Sequence, residues 1–371
     1  MMRRVLVGFI FVLVSGCWAL VSAGSGSVAD PLERRSELPR RPEHCVMLDV
    51  TQAGAKLVAV GERGIVVLSD DSGRTWRQSA TPTSETLTAV QFPSPKHGWV
   101  VGHGGKVLHT GDGGETWVSQ LDGAAAGRLE LAEAEAEAGR AGFEDEAAKK
   151  RLSDAQRLVD DGPDKPFLAL SFEDERNSFI IGAYGLIFHT ADGGKTWQSW
   201  MGRLNNPRGL HLYAIRMMGN AVYIAGEQGL FLRSMDGGIT FERIETPYRG
   251  SYFCIAGAPS GEIVLAGLRG NAYRSSDHGT TFTAVHFPVP VSISAATTLK
   301  DGALLFANQG GQLFMSRDKG DTVQPLSIPR LPPLAALEQT GDGSIVAAGF
   351  AGVIRVPMTD CGPATKTGVM Q

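Results

Sequence analysis

The sequence predicts an all-β chain folded as a seven-bladed β-propeller of four-stranded antiparallel blades, and three observations predict it. A small-Gly-x-x-Gly motif follows an apolar run seven times. A turn of pattern Ser/Thr-x-Asp-x-Gly-x-Thr recurs six times, followed by Trp or Phe in five copies. Each of the first six periods also holds four short stretches of strand-like alternation.

The motif reads VGERG, VGHGG, IGAYG, AGEQG, AGLRG, ANQGG and AGFAG. Its second positions are Gly61, Gly102, Gly182, Gly226, Gly267, Asn308 and Gly349, so the steps are 41, 80, 44, 41, 41 and 41 residues. The step of 80 is one period plus an insertion. Within a period a first strand (Leu87–Phe92, or Leu210–Arg216) leads to a second that ends at the motif (Gly98–Gly102, Ala221–Gly226). A third follows (Lys106–Thr110, Leu230–Ser234), then the Asp turn, then a fourth strand beginning at Thr-Trp or Thr-Phe.

The turn itself, first seen as SDDSGRTW at Ser69–Trp76, could be mistaken for the paired acids of a hydrolase. Repetition argues otherwise. Asp71, Asp112, Asp192, Asp236, Asp277 and Asp318 fill one slot, and six equivalent turns around a rim cannot converge on one substrate. The carboxylate is expected to accept hydrogen bonds from nearby main-chain N–H groups, with Gly two residues on at positive φ. Trp76, Trp117 and Trp197 are expected to pack between neighbouring sheets, where loss of one costs roughly 3–5 kcal/mol. The seventh period, Ser344–Val356, lacks both the turn and a fourth strand. An unpaired sheet edge is a liability, and Asp30–Arg41, within an amino-terminal segment at 24–44, is expected to supply the missing strand.

The insertion spans 122–166, between blades 2 and 3. Ala, Glu, Leu, Lys and Arg dominate it, which predicts a helical hairpin, Arg128–Ala138 and Phe143–Asp160, broken by Gly139 and Gly142. Phe143, Ala147, Leu158 and Val159 give the second helix a weak apolar stripe. The hairpin is either a solvated appendage or a docking arm.

Composition narrows the function. With 43% hydrophobic residues, 47 glycines and a net charge of -4, the chain is globular and carries no basic block of the kind that holds nucleic acid. The four cysteines are isolated and the eight histidines form no zinc spacing, so no metal or cofactor is expected. GxSxG and Walker A motifs are missing. Residues 1–23 read as a targeting segment: two arginines, then the apolar run Val5–Val14. Val14–Cys17 fits a lipobox with lipidation at Cys17, Val21–Ala23 fits an ordinary signal peptidase, and a retained anchor is a third reading. All three place the propeller, 45–360, outside the cytoplasm, periplasmic or membrane-associated. There Cys45 and Cys361 bracket the ring and are expected to form a disulfide, with 361–371 a short tail and Cys254 a buried thiol.

Connectivity assigns two faces. Turns joining second to third strands share a face with the crossovers between blades and with the insertion, while the Asp turns lie opposite. On the first face the repeat breaks its own symmetry. Arg63, His103, Tyr184, His211, Glu227, Arg249, Arg269 and Gln309 are the candidate partner-binding residues, arginine and tyrosine being favoured interface anchors.

The turn resembles the Asp-box, or BNR, repeat of sialidase-like propellers. The fuller pattern G-x-x-G-x-I/V-x-x-S/T-x-D-G-G-x-T-W resembles the photosystem II assembly and stability factor propellers and their relatives in non-photosynthetic bacteria, over roughly residues 45–357. That resemblance implies a non-catalytic, monomeric propeller that binds a membrane protein or envelope complex. The alternative it leaves open is a sialidase-like glycosidase, with Tyr184 and Glu227 in the catalytic roles and Arg63, Arg249 and Arg269 gripping a carboxylate, or a glycan-binding module. The Phe-Arg-Ile-Pro stretch typical of sialidases is absent.

Overall fold

A computed structural model describes residues 30–141 and 145–358. Among these described residues seven antiparallel sheets stand around a central axis, six of four strands and the last of three. The innermost strands, Met47–Ala53, Leu87–Gln91, Phe167–Phe172, Leu212–Met218, Tyr252–Gly257, Ile293–Thr298 and Leu334–Gln339, neighbour one another in that order and close the ring. The predicted first strand at Leu210 begins two residues later, at Leu212, and the fourth strands begin one residue after the aromatic, as at Arg77 and Val118. The Thr and the aromatic belong to the turn.

Hydrogen bonds explain why. In the first Asp turn Ser69 Oγ donates to Asp71 Oδ1 at 2.8 Å and accepts from Gly73 N at 2.9 Å. The other side of the carboxyl accepts from Thr75 Oγ1 at 2.7 Å, and Oδ1 accepts from Thr75 N at 2.9 Å. The same set recurs at Asp112, Asp192, Asp236, Asp277 and Asp318. Two consecutive residues turn left-handed to make it, Ser72 (φ 62°) and Gly73 (φ 81°) in the first copy. A Cβ at Gly73 would also lie 2.6 Å from Val346 Cγ2 of blade 7, so both conformation and space select glycine.

The aromatics pack as expected. Trp117 sits with Val58, Val66 and Leu68 of blade 1, edge-on to Phe92, and its Nε1 donates to Gly114 O at 3.0 Å. Trp197 fills the seam between blades 2 and 3, and the partly buried Trp76 that between blades 7 and 1.

Blade 7 closes against blade 1 by side chains rather than by a shared strand. Met47, Val50, Leu57 and Val67 pack on Ala336, Val346 and Ala348. Gln52 Nε2 donates to Gln339 O at 2.6 Å, and Arg355 donates to Ser72 O at 3.0 Å while pairing with Asp342 at 2.8 Å. The expectation for Asp30–Arg41 is overturned: the segment does not pair with Gly352–Val356, whose sheet has three strands. It lies over the crossover from blade 1 to blade 2, where Ser36 N donates to Thr81 O (3.1 Å), Thr81 N to Ser36 Oγ (3.0 Å) and Ser84 N to Pro31 O (2.9 Å). The crossover has main-chain groups with no ladder partner, and the segment satisfies them. Among the described residues Cys45 and Cys254 are free thiols and no disulfide forms. Cys361 lies outside them, as do the targeting segment and the tail, so the expected Cys45–Cys361 bridge finds no support. Cys254 is buried as expected, which pushes its thiol up to about 12.

The insertion is a hairpin of two helices, α1 (Gly123–Ala141) and α2 (Glu146–Asp160). α1 is longer than expected and runs through Gly139, where a Cβ would meet nothing within 4 Å and only propensity opposes the helix. α2 starts at its cap, Asp145, whose carboxylate accepts from Ala147 N and Ala148 N. Its buried face carries Ala148 and Ala155, not the exposed Ala147, and Phe143 lies outside the described residues. The hairpin is docked, not free. Glu130 of α1, 2% exposed, receives Arg151 of α2 at 2.9 and 3.0 Å and the hydroxyl of Ser199 in the outer strand of blade 3.

Charge placement in the ring and the hairpin sets two measurable responses. Hydrogen bonds from Thr75 hold Asp71 at about 2, and those from Ser234 and Thr240 hold Asp236 at about 2. Stability from these carboxylates is therefore full above about pH 4 and lost as pH falls toward 2. Burial instead raises Asp49 and Glu338, in the inner strands of blades 1 and 7, to about 7. Their penalty grows from about pH 4 and is complete above pH 7, so chemical denaturation across pH should show highest stability on the acid side of neutrality, with Asp49→Asn stabilising the ring at pH 8. Separately, Glu130→Ala leaves the Arg151 guanidinium with Glu137 as its remaining carboxylate and frees Ser199, and should loosen the hairpin from blade 3 at a cost of about 2 kcal/mol. Limited proteolysis should then cut within 123–160 while the propeller stays intact.

Candidate functional site

The glycine motif builds the face opposite the Asp turns. The N–H just after each motif's second position donates to the carbonyl just before an innermost strand: Glu62 to Val46 (3.1 Å), His103 to Thr86 (2.8 Å), Glu227 to His211 (2.9 Å), and likewise in the other four blades. The contact is so close that a Cβ on Gly61 would lie 2.0 Å from Val46 O. The backbone there is extended, so close approach alone demands glycine. Blade 6 uses Asn308, whose Oδ1 accepts from Gly310 N and Gln312 N at 3.0 Å. The next residue of the turn is held left-handed and thrust outward, as Arg63 (φ 55°), Tyr184 (φ 56°), Gln228 (φ 53°) and Arg269 (φ 57°). The fold thus presents a different side chain from each of blades 1, 3, 4 and 5 on one rigid rim.

Each innermost strand carries a β-bulge at its start. The bulged residue is Leu48, Thr88, Leu168, Tyr213, Phe253, Ser294 or Ala335, and at Thr88 and Ser294 it reaches the next blade. Thr88 Oγ1 donates to Phe167 O and Ser294 Oγ to Leu334 O.

These two devices bring part of the predicted set together. Tyr184, 55% exposed, meets His211 edge-on at 4.9 Å, and its N–H donates to His211 Nδ1 at 2.8 Å. His211 lies 6.1 Å from Tyr213, which meets Phe253 at 5.5 Å. The result is an aromatic run across blades 3, 4 and 5. Glu227 accepts from His211 N at 3.2 Å, and burial with the Glu227 charge raises the Tyr213 phenol. Cations border the run: Lys165, at the end of the insertion, sits 5.4 Å from the Tyr184 ring, and Arg208 donates to Gln228 at 2.6 Å. The insertion therefore shares this face, as its connectivity implied.

Other predicted residues stand apart. Arg63, on blade 1, pairs with Glu37 of the amino-terminal segment at 2.9 Å. His103, Arg249, Arg269 and Gln309 are exposed on their own blades and join no shared constellation. The arginines that a sialidase would need are thus spread over blades 1, 4 and 5, away from Tyr184 on blade 3. Among the described residues no group of three or more His, Cys, Asp or Glu could hold a metal. Tyr213, Phe253 and Arg208 were not among the candidates, although the crossovers that contain them, Asn205–Tyr213 and Tyr248–Phe253, stand out in the sequence as unusual on this face, and Lys165 was not singled out at all. For the first two the signal was present, since the repeat aligns them with small or aliphatic residues in most other blades.

The glycine contacts yield a direct test. Gly226→Ala places a methyl about where His211 O lies, 2.2 Å away. It should lower stability by about 2 kcal/mol or more and, at a temperature where the variant is folded, broaden the His211 and Tyr184 resonances in NMR spectra while leaving those of blade 7 unchanged.

Comparison with known proteins gives a consistent picture. The family described as "Photosynthesis system II assembly factor YCF48" matches residues 68–135 and 150–326, well over half the chain, and the gap falls in the helical hairpin. The chain is 41% identical over 70 residues to the chloroplastic photosystem II stability/assembly factor HCF136 of Cyanidioschyzon merolae, 17% of this chain and 16% of that one. It is 34% identical over 77 residues to the photosystem II assembly lipoprotein Ycf48 of Synechococcus sp., 21% and 23% of the two chains. These alignments span less than a quarter of the relatives' own length. A solved structure of YCF48 bound to D1 peptide aligns with a TM-score of 0.61 at 16% identity, covering 89% of this chain and 97% of its own. Streptogramin B lyase aligns at 0.62 and 15% identity over 86% and 95%. At such identities structural likeness shows the fold, which enzymes and binding proteins share. The family match carries the assignment: this chain belongs to the photosystem II assembly factor YCF48 family.

Proposed function

We propose that the chain is a non-catalytic, exported propeller that binds a segment of a membrane protein during assembly of an envelope complex, using the glycine-motif face across blades 3 to 5. One observation carries the reading. The Asp turns spend their polar groups on themselves in six equivalent copies, whereas the opposite rim gathers the aromatic rings of Tyr184, His211, Tyr213 and Phe253 beside Arg208 and Lys165, the lysine being held there by Asp161 and Asp164. Flat aromatic faces with bordering cations suit an extended peptide that offers apolar side chains and carboxylates. Family membership supports an assembly role, and a family structure titled as bound to D1 peptide supports a polypeptide ligand.

The targeting segment supports a non-cytoplasmic location for the propeller, and a relative named as a lipoprotein supports anchorage, with Cys17 the lipidated residue. The docked hairpin then acts as a fixed wall of the binding face, Lys165 lying over Tyr184. Arg249 and Arg269 extend the face toward blade 5, and the chain acts as a monomer.

Tagged protein used to capture partners from solubilised membranes tests this. Tyr184→Ala combined with Arg208→Glu should cut recovery at least tenfold, while Ile239→Ser, an exposed position on the Asp-turn face, should leave it unchanged. Equal recovery by all three proteins would place the interface elsewhere. Hydrolysis of a fluorogenic sialoside that Tyr184→Phe abolishes would replace binding by catalysis.

A further inference from the structure

On the channel side, the innermost strands of blades 1 to 4 line an open space of about 330 Å³ whose polar lining is Asp49, Gln91, Ser171 and Arg216. Their inner edges have no neighbouring strand, so side chains from adjacent blades satisfy them. Gln91 exchanges two hydrogen bonds with the main chain of Phe172, at 2.7 and 3.4 Å. Ser171 Oγ accepts from Met217 N at 3.2 Å, and each Asp49 oxygen accepts a main-chain N–H, from Val50 and Val90, at 2.8 Å.

Arg216 does not follow this pattern. Register places it level with Thr51, Gln91, Ser171, Ala256, Thr297 and Glu338, so it is the single cation at that height. No carboxylate of the described residues pairs with it. Nη2 makes long contacts to Thr298 Oγ1 (3.3 Å) and Gly257 O (3.5 Å), Nε is buried without an acceptor, and Nη1 has no partner among the described residues. Blade 5 makes room for the group: a Cβ on Gly257 would lie 2.6 Å from Nε. A guanidinium stays charged in a protein interior and is costly to bury unpaired. Burial alone, with no neighbouring charge to oppose it, acts to lower its pKa.

We propose that the channel is a binding site for a small anion, a carboxylate or an inorganic oxyanion, seated on the Nη1 and Nη2 edge of Arg216. The guanidinium presents parallel donors that match two oxygens of such a group. That space holds an anion of a few heavy atoms with part of its hydration and is far too small for a folded partner. Because Arg216 itself reaches Gly257 of blade 5 and Thr298 of blade 6, an anion that fixes the guanidinium would brace blade 4 against both.

Arginine side-chain NMR tests this on the full chain. Sodium acetate and sodium phosphate are titrated separately at constant ionic strength, held with the sodium salt of a bulky sulfonate. One Nε–H resonance should shift saturably, and that resonance should be missing from Arg216→Gln. Response to acetate alone assigns a carboxylate, and response to phosphate assigns an oxyanion. The melting temperature of the wild type should rise with the same anion and saturate with it. No saturable Nε–H shift with either salt, or the same shift retained in Arg216→Gln, overturns the proposal. If Arg216→Gln does not fold, the wild-type titration alone decides, because an unresponsive set of Nε–H signals still refutes the site.

Discussion

The structure depends on a carboxylate closing its own turn. In each Asp turn one side chain accepts from the hydroxyl two residues before it and from both the hydroxyl and the N–H four residues after it. Hydrogen bonds to a charged acceptor are worth about 1.5–3 kcal/mol, and here they fix the hand-over from the third to the fourth strand six times. That hand-over aims the following Trp or Phe into the gap between sheets, as Trp117 and Phe282 show. Local chemistry thus sets the spacing of the blades, and the blade spacing sets the ring.

Because the Asp turns are self-satisfied, the two faces differ in kind. One is repetitive and internally paired. On the other the glycine motif holds the backbone so tightly that side chains at the next position have nowhere to go but outward. This separates stability from recognition: the residues that make each turn are constrained, whereas Arg63, Tyr184, Gln228 and Arg269 share one backbone conformation and differ completely in chemistry.

Much of this was legible in the sequence, and the limits were physical. Seven registered glycine motifs gave the blade count and the Asp turns gave the hairpins, and the seventh period's lack of a fourth strand was legible, although the expected replacement strand from Asp30–Arg41 does not form. Strand ends shifted where a turn claimed residues that look strand-like, as with Thr75 and Trp76. The fate of Asp30–Arg41 was not legible, since its choice rests on the unpaired main chain at Thr81 and Ser84, which no local pattern announces. The helix through Gly139 shows propensity yielding to a docked scaffold, Glu130 against Arg151 and Ser199. At the binding face the outward residues were found, but Tyr213 and Phe253 were passed over because a β-bulge, not a loop, presents them.

A double-mutant cycle on one turn tests the central claim most directly. Asp112→Asn, Thr116→Val and the pair would be compared by equilibrium unfolding. Self-closure predicts strong coupling, on the order of 1–2 kcal/mol, because either change alone breaks the same bond. Additive losses would mean that the carboxylate and the hydroxyl act independently, and that the turn is held by something else.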